Sequence, residues 1–153
     1  MVRLSQVLFD NAHGFRVGAA EAVRRDHRGV ALASACNAIE LGLKSFLVAE
    51  GATDDENRRT IRHDLVKALA FAEARGLRLR RGWAPILAKV SPAHMRHGLD
   101  ALGRETSLAE VRAVVAITRE IAEAGARSRT RKGSASSRRP WTATLRAWGA
   151  ARG

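Results

Sequence analysis

The stretch from Val30 to Glu50, VALASACNAIELGLKSFLVAE, limits what this chain can fold into more than any other. Leu32, Cys36, Ile39, Leu43, Phe46 and Leu47 recur at the three- and four-residue spacing of a helix, and they cover most of its circumference. One stripe interrupts them: Asn37, Glu40 and Lys44, again three and four residues apart. A helix apolar nearly all round belongs in the middle of a bundle. Burying polar groups costs free energy unless they are paired, so the stripe needs partners from a neighbouring element or serves a site. Glu40 and Lys44 meet part of that need themselves, as an ion pair one helical turn apart.

The rest of the chain reads as helices packed around this one. Leu4, Leu8, Phe15, Ala19 and Ala22 or Val23 mark a first helix over about Leu4 to Asp26. In it Gly14, Gly18 and Ala22 form a small-residue stripe suited either to close helix approach or to nothing in particular. Gly29 separates the first two helices, which predicts an antiparallel pair. Gly51 to Asn57 is a polar breaker, and a third helix is expected over about Thr60 to Arg75, with His63 in its first turn and Gly76-Leu77 as its stop. Arg78, Arg80 and Arg81 form a basic connector, and Trp83, Ile86, Leu87 and Val90 mark a short fourth helix that Ser91-Pro92 should break or restart. His94 to Gly103 carries no clear pattern. Ser107 with Glu110 is a capping box ahead of Leu108, Val111, Val115 and Ile121, whose helix should end near Gly125.

With no alternating strand-like runs, the fold class expected is all-α: an antiparallel bundle of about five helices over residues 1–124, followed by a disordered basic tail over residues 125–153. The formal charge is +12, but eight of the 27 Lys and Arg residues fall from Gly125 onward with no acid among them. That tail has too little apolar surface to offset its ordering entropy, and it suits a nucleic acid or an acidic protein as partner. Trp141, Leu145 and Trp148 near its end would share one helical face. The charges in the central helix argue against a transmembrane span, and no secretory signal is readable. The single cysteine, Cys36, has no partner in the chain and reads as a buried apolar residue, which makes the cytoplasm the expected compartment.

The sequence has no glycine-rich phosphate loop, no Cys-x-x-Cys and no His-Glu-x-x-His. What remains is the run Asn37-Ala38-Ile39-Glu40-Leu41-Gly42-Leu43-Lys44-Ser45-Phe46-Leu47, a polar loop, His63-Asp64-Leu65 and the close at Ala74-Arg75-Gly76-Leu77. In these residues the chain resembles the HEPN domain family. The resemblance implies an antiparallel helical bundle, a homodimer, and nucleotide or RNA binding, here through Asn37, Glu40, Lys44, Arg62 and His63. It also implies a place in a toxin–antitoxin or antiphage system, with an antitoxin or a nucleotidyltransferase-like polypeptide as partner. No cofactor or metal is implied.

Many HEPN ribonucleases have an Arg and a following His with four to six residues between them, the cation for the phosphorane and the imidazole for proton transfer. Arg58 and His63 have that spacing, which makes them the candidate catalytic pair for metal-independent RNA cleavage. The family pair commonly lies in a later helix, whereas Arg58 lies in the loop before the third.

Two other classes stay open. His63-Asp64 is also similar to the pair in HD-type metal phosphohydrolases, with His27 and Asp100 as further ligands. Alternatively the bundle is a non-catalytic dimerisation or interaction module, with a tail that attracts nucleic acid and with His63 merely satisfying Glu40 or Asn37 by a hydrogen bond. The spacing carries one geometric expectation that separates these classes: Glu40, Lys44 and His63 should converge across the second and third helices in a small polar site open to solvent or to a dimer partner.

Overall fold

The computed structural model describes residues 3–80 and 82–132, and every regular element within them is helical, so the chain is all-α. Helix α1 spans Leu4–Arg24 and α2 spans Arg28–Ala49, joined by a tight turn through Asp26 into an antiparallel pair. A single helical turn, α3 (Asp54–Glu56), runs into a π-helical turn, Asn57–Ile61. After these come α4 (Leu65–Ala74), α5 (Trp83–Met95), the short α6 (Leu99–Glu105) and α7 (Leu108–Lys132). The five longer helices are those the periodicity predicts.

Helix α2 is the centre of the bundle and packs against α1, α4, α5, α6 and α7. Leu32, Ala35, Cys36, Ile39, Leu43 and Leu47 are fully buried along it. Its length and apolarity would suffice to cross a membrane, yet 61% of its most apolar window is buried inside the bundle, as befits a core helix. Small residues let its neighbours approach. A Cβ on Gly42 would stand 2.9 Å from Ile121 Cγ2 of α7, and one on Gly103 of α6 would stand 2.6 Å from the Gly29 backbone. By contrast, a Cβ on Gly14 would meet nothing and one on Gly18 only Ser34 Oγ at 3.9 Å, so close packing along α1 is made by Ala12, Ala19 and Ala22.

Three boundaries differ from expectation. The third long helix begins at Leu65 rather than near Thr60, because Thr53 and Glu56 form their own capping box and start a separate turn upstream. His63 therefore precedes the helix instead of lying in its first turn. Helix α5 runs unbroken through Pro92 to Met95, held by the buried Leu87, Val90, Ala93 and His94, while Ser91 Oγ accepts the Leu65 N–H at 3.0 Å. Finally, α7 does not stop at Gly125 but continues to Lys132. The Arg129 guanidinium lies 4.0 Å over the Phe9 ring and Ser128 donates to Glu50, so this basic segment docks on α1 and the end of α2. Residues 133–153, with the face formed by Trp141, Leu145 and Trp148, lie outside the described residues.

One stop and one start follow their sequence signals. Gly76 takes a φ of 99°, and the Leu77 N–H returns to the Ala72 carbonyl with its side chain buried. Ser107 and Glu110 form the expected reciprocal cap.

Candidate functional site: a buried carboxylate at the head of a cleft

Glu40 stands on the face of α2 that meets α4 and α5, and only 7% of it is exposed. Three side chains converge on its carboxylate. One turn on, Lys44 donates to Oε1 at 2.7 Å. From the turn before α4, His63 Nδ1 reaches both oxygens, at 3.2 Å and 3.1 Å. From the end of α5, His94 Nε2 reaches Oε2 at 2.7 Å. An ionised carboxylate only accepts, so both imidazoles donate through these nitrogens, leaving His63 Nε2 as the acceptor of a neutral ring. Burial pushes the Glu40 carboxyl up. The hydrogen bonds from His94 and Lys44, the Lys44 charge and the His63 bond outweigh it and hold the group down at about 2.

The two imidazoles differ in access. His94 is buried with its side chain only 8% exposed, whereas the His63 side chain is 63% exposed. Their ring centroids are 6.1 Å apart, edge to face. Both line an open cleft of about 340 Å³ together with Asn37, His97, Asp100 and the apolar Gly29, Val30, Ala33 and Leu99. A buried anion thus fixes an exposed imidazole at the mouth of a cleft wide enough for a small polar ligand.

Local backbone geometry sets both approaches. The Asp64 N–H donates to the Ile61 carbonyl at 3.0 Å, closing a turn whose first corner is Arg62 at φ 54° and ψ −113°. Those angles are those of a type II′ turn, where glycine is the favoured residue, so Arg62 stores strain directly beside His63. At the end of α5, His97 takes φ 56° while the Gly98 N–H returns to the Ala93 carbonyl at 2.7 Å. That left-handed close ends the helix just past His94.

Of the residues singled out from sequence, Glu40, Lys44 and His63 are brought together; Asn37 lines the adjoining cleft, and Arg62 is exposed beside His63. Arg58 is elsewhere engaged: it pairs with Asp54 at 2.9 Å on the surface, with its side chain 76% exposed. The ligand set His27, His63, Asp64 and Asp100 is not assembled either. Asp64 caps α4 by accepting the Lys67 N–H, and Asp100 pairs with Arg104. His94 is the participant that sequence reasoning missed. Its only local signal is a histidine on the apolar side of α5, two residues beyond a proline expected to break or restart the helix.

No family model matches the chain, and neither a curated protein nor a solved structure is significantly similar to it.

Proposed function

We propose that this chain is a HEPN-like helical module that binds the phosphate of a nucleotide or of RNA at the mouth of the His63 cleft. The observation that carries the reading is the pairing of buried Glu40 with exposed His63, which holds one imidazole edge toward an open cleft. Arg62, next in sequence and exposed, supplies the guanidinium that a phosphate requires. Lys44 is only 12% exposed and is held on Glu40, so its part is to keep that carboxylate charged and fixed rather than to meet the ligand. Asn37 lines the floor and suits a base or ribose edge.

Binding is the core of the proposal, and cleavage is an extension of it. A neutral His63 with Nδ1–H on Glu40 has Nε2 free to take a proton from a 2′-hydroxyl, but Arg58 is committed to Asp54 and does not stand as its cationic partner. The wider setting stays part of the same proposal: a cytoplasmic homodimer working with an antitoxin or nucleotidyltransferase-like polypeptide, its basic C-terminal residues adding phosphate attraction. The free, buried Cys36 fits a reducing compartment.

The test is equilibrium binding of a short oligoribonucleotide to the full chain in the presence of a chelator. His63→Ala should weaken binding about tenfold, and Arg62→Ala should weaken it and lower the salt slope by about one. If both variants bind as the parent does, the basic C-terminal residues carry the affinity and the interaction-module reading replaces this one.

A further inference from the structure

The geometry points to a divalent transition-metal site made by Glu40, His63 and His94, a property distinct from phosphate binding and one that stands whether or not RNA binds here. The donor atoms come from three elements: Glu40 Oε2 from α2, His63 Nδ1 from the turn before α4 and His94 Nε2 from the end of α5. All of them lie within 4.8 Å of one another. Zinc bonded to imidazole nitrogen and carboxylate oxygen at about 2.0–2.1 Å in a tetrahedron sets its donors roughly 3.3 Å apart. The two carboxylate–imidazole contacts, at 2.7 Å and 3.1 Å, are both somewhat shorter than that spacing, so the ion is admitted by an opening of these contacts of less than an ångström and a closing of the rings toward each other.

The proton balance is simple. From the neutral form that directs its N–H at Oε2, each imidazole moves that proton to its other ring nitrogen on binding and offers the lone pair to the ion. No proton need be released. Lys44 remains on Oε1 at 2.7 Å, which presents Oε2 to the metal and fixes the carboxylate's orientation, as an outer-shell partner does. Two nitrogens and one oxygen favour zinc, cobalt or nickel over magnesium or calcium, and the nearby ammonium charge disfavours a hard cation further. Because His63 is exposed, the fourth position opens on the cleft, where water or a ligand oxygen completes the shell.

The experiment uses the full chain, stripped with chelator and returned to chelator-free buffer, then titrated with zinc chloride by calorimetry and with cobalt chloride by visible absorption. One saturable equivalent is expected, with the intense d–d bands of a four- or five-coordinate cobalt site. His63→Ala removes one of three partners of Glu40 and leaves His94 and Lys44 in place, so it should keep a cooperative melt in chelator, yet weaken zinc binding by at least about tenfold. His13→Ala, whose histidine pairs with Arg16 outside the cluster, should bind as the parent does. Absence of saturable binding, or parent-like binding by His63→Ala, overturns the assignment. Since the RNA assay is run in chelator, a metal-binding failure leaves the phosphate reading standing, and loss of RNA binding leaves the metal site standing.

Discussion

At the residue scale, Glu40 governs the site and also its response to acid. Its folded carboxyl lies at about 2 against an ordinary 4.5, so the ionised form is favoured by folding. The resulting stabilisation is fully present above about pH 4.5 and is lost as pH falls toward 2, and it amounts to on the order of 3 kcal/mol. Unfolding free energies measured in chelator between pH 6 and 3 should therefore fall more steeply for the parent than for Glu40→Gln. Other carboxylates titrate in both proteins, so the difference between the two curves isolates Glu40; parallel curves would show that its charge is not stabilised by His94, Lys44 and His63. The stripe Asn37, Glu40, Lys44 was legible because helical spacing alone places it on one face. His94 was not, because its pairing with Glu40 spans 54 positions and depends on how α5 crosses α2. Cys36 is likewise explained by place: burial first, and the Glu40 charge second, push its thiol up to about 12, which removes it as a nucleophile.

At the scale of elements, the turn from Ile61 to Asp64 is where sequence and structure disagree most usefully. The apolar period of the third long helix was clear, but its start was not. A run of charged residues hides a capping box at Thr53–Glu56, a π-helical turn and a strained corner at Arg62. A glycine would have announced such a turn; an arginine conceals it. Arg62→Gly should remove the strain and raise the unfolding free energy by about 1 kcal/mol, net of the extra freedom of the unfolded chain. If it lowers stability instead, the Arg62 side chain makes contacts that outweigh its backbone. Helix α5 is the converse case: Ser91-Pro92 signals a break or a restart, but the buried Leu87, Val90 and Ala93 hold the helix across it and thereby deliver His94 to the site. Past Gly125, the basic segment looked too polar to order alone. Yet α7 includes it through Lys132, with Phe9 and Glu50 supplying partners that no local window contains.

In the whole molecule, a bundle built round one apolar helix leaves that helix a single buried charge, and the charge aims an exposed imidazole at a cleft. The sequence showed the bundle through periodicity and the charge through interruption of that periodicity; the cleft required tertiary structure, since its walls come from α2, α5, α6 and the turn before α4. The most direct measurement is long-range proton–nitrogen NMR of the histidine side chains in the full chain, held in chelator, with and without a short oligoribonucleotide. His63 is expected to carry its proton on Nδ1 and His94 on Nε2, and His63 is expected to shift on addition of RNA while Glu40→Gln abolishes the tautomer preference at His63. A His63 ring protonated on Nε2, or one that stays unmoved by RNA while the binding is saturated, would contradict that expectation.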